Sequence, residues 1–191
     1  MSQDVLTTAA AAIAQVNIPL RPVLVAIDGP CAAGKTSFAR ALAQRVGAAV
    51  VHADDFFLPP AMRTPARLAT PGGNLHYERL LAQVLLPLRQ TGRACYQPYD
   101  CHADALQPAI VLECPRVVLV EGSYTCQPAL WDQYDLHFFL TLDPAEQRRR
   151  VTARNGAEAH RFFEEWIPLE NAYFAACDPA ARCEWQSAWP G

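Results

Sequence analysis

The sequence predicts an α/β fold of three layers, with helices on both faces of a parallel sheet. Apolar runs of strand length alternate with stretches of helical periodicity, which is the pattern of successive β-α-β units. A glycine-rich loop joins the first predicted strand to the helix that follows it. The length of 191 residues fits one domain (1–191), in which residues 1–20 form a helical extension at the N-terminus.

Individual elements follow from periodicity and from the residues that interrupt it. Pro87 is expected to end or kink the second helix, and Pro168 is expected to interrupt the last one. The helices are predicted over 35–46, 75–86, 144–154 and 159–176. The strands are predicted over 23–27, 49–52, 117–120, 136–141 and 183–188.

Residues 58–74 differ from the rest of the chain because prolines and glycines interrupt any periodicity there. The segment is predicted to be a loop without regular elements, and a loop of this length in a compact domain usually carries function. We expect this segment to border the site of a molecule that accepts a transferred group. It would be part of an insertion over about 58–105.

Composition excludes several classes of function. A net charge of −3 argues against nucleic acid as a partner, since binding to a phosphate backbone depends on a broad positive surface. No apolar run reaches the roughly 18 residues of a membrane span. Seven cysteines without a C-x-x-C pair fit a reducing cytoplasm better than a disulfide framework or a zinc site. The composition leaves the oligomeric state open.

The strongest chemical signal is residues 29–36, a complete G-x-x-x-x-G-K-[ST] phosphate-binding loop. Lys35 is the only lysine in the chain, so a mobile ammonium stands at the one position where the motif uses it. Backbone N–H groups and the helix N-terminus are expected to hold the phosphates. The predicted nucleotide-binding residues are Gly29, Cys31, Ala32, Ala33, Gly34, Lys35, Thr36 and Ser37.

A magnesium ion is expected beside this loop, because Mg²⁺ prefers oxygen ligands and Thr36 offers a hydroxyl. Asp54 and Asp55 follow the second strand, and Glu121 follows the third. The residues alone leave open which aspartate faces the phosphates, and both could instead be turn or helix-capping residues. Glu121 could likewise be an acidic residue that merely follows a buried strand.

A cluster of arginines follows the fourth strand, at residues 148–150, 154 and 161. Arg150 and Arg154 are four apart and share a helix face, so both can contact one phosphate group. Cations that meet the charge of a transferred phosphoryl group favour its transfer. The alternative is a solvated helix face.

The order of these motifs resembles that of the uridine kinase family, whose relatives include phosphoribulokinase and pantothenate kinase. The resemblance covers about residues 21–188. It implies a P-loop NTPase fold whose five-stranded parallel sheet has the order 2-3-1-4-5. It also implies ATP and Mg²⁺ as cofactors, with transfer of the γ-phosphoryl group to a hydroxyl of a small molecule. Its motifs are the loop, Asp54-Asp55-Phe56-Phe57, Tyr99-Asp100, Val120-Glu121-Gly122, Tyr134-Asp135 and Arg149-Arg150.

The same resemblance assigns roles to single residues. It implies that Asp54 is the general base for the acceptor hydroxyl. The magnesium site is assigned to Thr36, Asp54 and Glu121. The catalytic cations are Lys35 and three arginines, Arg149, Arg150 and Arg154, which match the family's lid helix and imply a lid-like region over about 144–162. The acceptor is assigned to Asp54, Phe57, His76, Tyr99 and His102.

His76 departs from the family pattern. After the long loop the family has N-F-D, whose aspartate binds sugar hydroxyls, and this chain has Asn74-Leu75-His76. A neutral imidazole has one acceptor nitrogen and cannot replace a carboxylate that accepts from two hydroxyls. Three functions stay open: a kinase of a nucleoside such as uridine or cytidine, a kinase of a non-nucleoside alcohol, and a nucleotide-binding regulatory module with little turnover.

Cys31 is a second departure, at a loop position that is usually small. Backbone N–H groups, the helix N-terminus and Lys35 would favour a thiolate there. One hypothesis is therefore an oxidation-sensitive thiol that bound ATP protects.

Overall fold

The computed structural model of the chain describes residues 2–190. Met1 and Gly191, the two ends of the predicted single domain, lie outside these residues. The strands in this part of the chain are β1 (Val23–Asp28), β2 (Ala49–His52), β3 (Arg93–Tyr96), β4 (Tyr99–Asp100), β5 (Ala105–Leu106), β6 (Ile110–Glu113), β7 (Val117–Glu121), β8 (Leu136–Thr141) and β9 (Trp185–Ala188). The α-helices are α1 (Ser2–Gln15), α2 (Lys35–Val46), α3 (Pro65–Ala69), α4 (Tyr77–Leu80), α5 (Leu86–Thr91), α6 (Pro128–Trp131), α7 (Pro144–Asn155), α8 (Ala159–Arg161), α9 (Ile167–Cys177) and α10 (Pro179–Arg182).

Strands β2, β7, β1, β8 and β9 form one parallel sheet in that order. Numbered along these five strands alone, the order is 2-3-1-4-5, so the predicted fold class and strand order are confirmed. Along β1, Leu24 and Ala26 belong to one hydrophobic cluster, and Val25 and Ile27 belong to another. Successive side chains of a strand point to opposite faces, so the sheet is buried on both sides. This explains why its strands are continuously apolar.

The helical stretches 77–91 and 159–177 continue through their prolines. Each contains a π-helical turn, Leu81–Leu85 or Phe162–Trp166, that ends two residues before a proline. A proline has no N–H to donate, and its ring collides with the carbonyl four residues earlier in a regular α-helix. The wider π turn relieves both problems. Neither proline therefore ends its helical stretch, and the predicted interruption takes the form of a π turn before each proline.

The segment 58–74 contains two short helical turns, Pro60–Met62 and α3, where the sequence predicted no regular element. Proline is tolerated at the first position of a helix because the N–H there has no helical partner. Thr64 then caps α3, since its hydroxyl accepts a hydrogen bond from the N–H of Arg67 at 3.2 Å. The prolines that suggested a break therefore begin turns instead.

Two antiparallel ribbons, β3 with β6 and β4 with β5, lie outside the main sheet, and periodicity predicted neither of them. Strands of two to four residues contain too few positions for their periodicity to be recognised. β4 contacts the 3-10 turn Ala53–Phe56 that follows β2. The second ribbon therefore lies at the carboxyl edge of the main sheet.

The N-terminal helix α1 packs against the domain through Ala9 and Ile13, which are both buried. Within residues 2–190, no helix combines the length and apolar character that a membrane crossing requires. The seven cysteines all lie in the described part of the chain, and all are free thiols.

The end of β7 meets the turn after β2 at Gly122. Its φ is +145°, and a Cβ at this position would lie 2.5 Å from the Cβ of Ala53. Only glycine combines this backbone conformation with so close an approach. The contact holds Glu121, the last residue of β7, near the two aspartates of the turn.

Replacing Gly122 with alanine is expected to destabilise the fold. The change combines an unfavourable φ with a steric overlap, at roughly 2–4 kcal/mol in free energy of unfolding. Gly47→Ala is the matched control, because Gly47 has a φ of +68° with open space around it; about 1 kcal/mol is expected there. Urea unfolding of both variants measures the difference, and equal losses would contradict the packing argument.

Candidate active site

The glycine-rich loop lies between β1 and α2 at the carboxyl edge of the sheet. Gly29 opens the loop with a φ of +144°, and a Cβ there would lie 2.4 Å from the carbonyl oxygen of Leu140 on β8. α2 begins at Lys35, directly after Gly34 in the left-handed conformation. The first N–H groups of α2 have no helical partners, so the loop and the helix end together form an anion-binding site.

Lys35 is nearly buried beside this loop, with 9% of its surface exposed. Its Nζ donates to the carbonyl oxygens of Gly29 at 2.6 Å and Pro30 at 2.9 Å. It also donates to Oγ of Ser123 at 3.3 Å. The loop and the segment after β7 therefore hold the ammonium in place together.

Thr36 and Glu121 form an oxygen pair at the predicted magnesium site. The Thr36 hydroxyl donates to Oε1 of Glu121 at 3.0 Å, and Nδ1 of His52 lies 2.6 Å from the same oxygen. The hydrogen bond to Glu121 raises the pKa of His52. One hydroxyl and one carboxylate suit Mg²⁺, which keeps several waters and takes other oxygens from phosphates. In the described part of the chain, no three His, Cys, Asp or Glu side chains are grouped to hold a metal ion.

Asp54 and Asp55 lie in the 3-10 turn after β2. Solvent reaches the side chain of Asp54, and protein atoms surround its carboxyl on the other sides. Loss of hydration there, followed by the charge of Glu121, raises the pKa of Asp54. Burial also raises the pKa of Asp55, whose carboxyl lies close to the hydroxyl of Tyr96 and the guanidinium of Arg79. The turn therefore gives the two aspartates different surroundings, with Asp54 beside the metal-site carboxylate.

A buried carboxylate beneath the loop was not predicted. Asp28, the last residue of β1, is fully buried. It accepts hydrogen bonds from the N–H groups of Gly29, Tyr124 and Cys126 and from the hydroxyl of Tyr173. Burial raises the pKa of Asp28, and its hydrogen bonds oppose that shift. Its sequence signal was an aspartate at the end of an apolar strand, directly before the loop.

A second buried carboxylate, Glu170 of α9, reaches the same loop. It accepts hydrogen bonds from the N–H of Cys31 at 2.9 Å and from the hydroxyl of Ser123 at 2.5 Å. Neither Glu170 nor Ser123 was predicted as a site residue. A glutamate within a helix that also contains apolar residues carries no local signal of such a contact.

Helix α7 also contacts the loop. Arg150 donates from Nη1 to the carbonyl oxygen of Ala32 at 3.3 Å. Gln147, which was not predicted, donates from Nε2 to the carbonyl oxygen of Cys31 at 3.2 Å. The predicted lid therefore lies against the phosphate-binding loop at these two side chains.

The other two lid arginines differ from Arg150 in their surroundings. The side chain of Arg149 is 71% exposed and pairs with Glu146 within the same helix. The guanidinium of Arg154 lies over the ring of Phe162, 5.4 Å from its centre. Of the three predicted arginines, Arg150 is the one with a hydrogen bond to the loop.

On the side predicted to bind the acceptor, His76 is the N-cap residue of helix α4. Its Nδ1 accepts a hydrogen bond from the N–H of Arg79 at 3.3 Å, and its own N–H donates to the carbonyl oxygen of Phe56 at 2.7 Å. Burial lowers the pKa of His76. Nδ1 also lies 3.3 Å from Oε2 of Glu78, so this nitrogen is occupied by protein groups in either tautomer, and Nε2 is the ring nitrogen that remains. Phe57 forms an isolated β-bridge with Leu75 in the same region.

The remaining predicted acceptor residues lie on the β4–β5 ribbon. The hydroxyl of Tyr99 donates to the carboxylate of Asp104. Asp100 accepts from the N–H groups of His102 and Ala103. The imidazole of His102 is exposed. These hydrogen bonds hold the ribbon's turn, and they occupy the hydroxyl of Tyr99.

Comparison with known proteins gives matches among solved structures. No protein-family model and no curated protein matches the sequence. A possible uridine kinase from Bacillus stearothermophilus superposes with a TM-score of 0.77 at 17% identity, over 97% of this chain and 98% of the other. This is the fold of the P-loop kinases. A candidate fructose transport system kinase from a Silicibacter species gives a TM-score of 0.78 at 21% identity, with the same coverage.

A third structure with the P-loop kinase fold is D-glycerate 3-kinase from Cryptococcus neoformans. Its TM-score is 0.58 at 16% identity, over 89% of this chain and 87% of the other. At identities this low, the likeness to all three structures concerns the fold.

The thiolate hypothesis for Cys31 is wrong, because burial, followed by the nearby carboxylate of Glu170, raises the pKa of Cys31 to about 12. At about pH 8 roughly one such thiol in 10,000 is ionised, and the thiolate is the nucleophile. We expect iodoacetamide to label Cys31 at least about 100-fold more slowly than the exposed Cys95. Peptide mass spectrometry of the native protein gives both rates, and similar rates would contradict the raised pKa.

Proposed function

We propose that this chain is a Mg-ATP-dependent kinase that transfers the γ-phosphoryl group to a hydroxyl of a small molecule. The observation that carries the proposal is a convergence at the carboxyl edge of a P-loop kinase fold. Lys35 lies beside the loop, Thr36 is hydrogen-bonded to Glu121, and Asp54 adjoins that carboxylate. Magnesium, when bound, would supply positive charge that neutralises the phosphates. Thr36 and Glu121 would hold it, with Asp54 close by.

In the proposed reaction, one side chain acts on the acceptor hydroxyl and two act on the phosphoryl group. Asp54 takes the proton of the acceptor hydroxyl, and its raised pKa brings it closer to the pH at which a base of this kind works best. Lys35 and Arg150 stabilise negative charge on the phosphoryl oxygens. We place the reaction in a reducing cytoplasm, a proposal supported by the seven free cysteines.

The first acceptor that we propose is a nucleoside such as uridine or cytidine, because the order of the motifs resembles the uridine kinase family. A non-nucleoside alcohol is the second, and the contacts of His76 favour it. Its Nδ1 contacts Arg79 and Glu78 at the start of α4, so one ring nitrogen, Nε2, remains for a substrate. One nitrogen can bind a single hydroxyl, whereas a ribose offers two.

ADP release from Mg-ATP tests the proposal against nucleosides, sugars and small hydroxy acids. We expect one acceptor class to stimulate release, and Asp54→Asn to lower kcat by at least about 100-fold, the usual contribution of a general base. Asp55→Asn is the matched control, because Asp55 lies beside Tyr96 and Arg79 instead; it should retain most of the activity. Removing Mg²⁺ with a chelator should abolish release by the parent.

The possible results separate the three functions. Stimulation by a nucleoside or by another alcohol identifies the acceptor class. ATP binding without release for any acceptor favours a regulatory module with little turnover. Full activity of Asp54→Asn would show that another group takes the proton.

The lid arginines give a second, independent prediction. Arg150→Ala is expected to lower kcat/KM for ATP by about tenfold or more, because it removes a charge that contacts the loop. Arg149→Ala, which removes a largely exposed side chain from the same helix, should change kcat/KM by less than about twofold. Steady-state kinetics of the two variants measures this difference. A larger loss for Arg149→Ala than for Arg150→Ala would contradict the role proposed for Arg150.

A further inference from the structure

Glu170 is a buried carboxylate that contacts the nucleotide loop but takes no part in the proposed phosphoryl transfer. Its exposed fraction is 4%, and it lies on α9, far along the chain from the loop. A buried charge is costly unless hydrogen bonds replace its water. Both carboxylate oxygens of Glu170 have such partners, Cys31 on one side and Ser123 on the other.

The contact with Ser123 has a fixed direction. A carboxylate can only accept, so Ser123 must donate its single hydroxyl proton to Glu170. The lone pairs of that hydroxyl are then free to accept from Nζ of Lys35, which lies 3.3 Å away. Glu170 therefore sets the direction of both hydrogen bonds in the series Glu170–Ser123–Lys35.

The contact with Cys31 shapes the first half of the loop. Ala32, the next residue, has a φ of +63°, an unusual conformation for a residue with a side chain. On the two sides of this bend, Glu170 accepts from the N–H of Cys31, and Arg150 donates to the carbonyl oxygen of Ala32. The strained backbone is thus held by hydrogen bonds to protein side chains.

We infer that Glu170 is a positioning residue for nucleotide binding, which holds the bend of the loop and orients Ser123 towards Lys35. The inference rests on the proposed function in taking ATP as the ligand of the loop. An ammonium and a loop that are already placed lose less conformational entropy when the phosphates bind. The contribution of Glu170 therefore lies in the affinity for ATP.

Glu170→Gln tests this inference with almost no change of shape. The amide oxygen can still accept from Cys31, but the amide nitrogen donates to Ser123 and turns its hydroxyl proton towards Lys35. Two donors then face each other, and we expect the Kd for a fluorescent ATP analogue, mant-ATP, to rise by about tenfold or more. Glu164→Gln is the control, because Glu164 is exposed in the same helical stretch; its Kd should match that of the parent.

A double-mutant cycle separates positioning from a general loss of stability. Ser123→Ala removes the hydroxyl whose direction Glu170 sets, so in that background Glu170→Gln should raise the Kd by less than about threefold. Thermal unfolding followed by circular dichroism checks that each variant is folded. If Glu170→Gln does not fold, Ser123→Ala still tests the series, and its Kd must exceed that of the parent several-fold.

Each result has a distinct meaning. A parent that does not bind mant-ATP overturns the proposed function, and the inference with it. A parent that binds, with Glu170→Gln equally tight, overturns the inference alone. Additive losses in the double-mutant cycle also overturn it, because they would show that Glu170 does not act through Ser123.

Discussion

The geometry of the candidate site depends on the buried carboxylate of Asp28. A charge without water is tolerated only when hydrogen-bond donors replace its hydration, and four donors surround this one. They come from the start of the loop, from the segment after β7 and from Tyr173 on α9. Moving any of these elements away would leave the charge incompletely paired. The loop, the segment after β7 and α9 therefore share one fixed arrangement. This is the kind of preorganisation that charge stabilisation in catalysis requires.

The balance of charge at this edge also bears on the proposed donor. Four carboxylates, those of Asp28, Asp54, Glu121 and Glu170, lie at this edge, where the cations that contact the loop are Lys35 and Arg150. Nearness to Glu121 contributes to the raised pKa of Asp54, which shows that these negative charges disfavour one another. A free triphosphate would add further negative charge to this surface. In the proposed reaction the site therefore suits ATP only together with magnesium, which supplies the missing positive charge.

The parts of the fold that the sequence predicted are those with local signals. The five main strands and the loop were recognised because an apolar run and a glycine pattern are read within a few residues, whereas the strand order came from the family resemblance. Asp28 had such a signal, at the end of an apolar strand, but it was not used, and Glu170 could not be assigned in this way. The bond from Cys31 to Glu170 joins residues 139 positions apart. The assignments of His76 and Tyr99 did not allow for local hydrogen bonds, at the start of α4 and in the ribbon turn, that occupy their polar atoms.

The stretch of chain from α7 to α9 contacts the loop at two places, and the contacts differ in strength. On α9, Glu170 and Tyr173 bond to buried groups, so releasing them would leave carboxylates unpaired. On α7, the bonds of Gln147 and Arg150 to the loop are only partly buried, so water can replace them at little cost. The contacts of α9 therefore fix the shape of the loop, whereas those of α7 are the more easily exchanged.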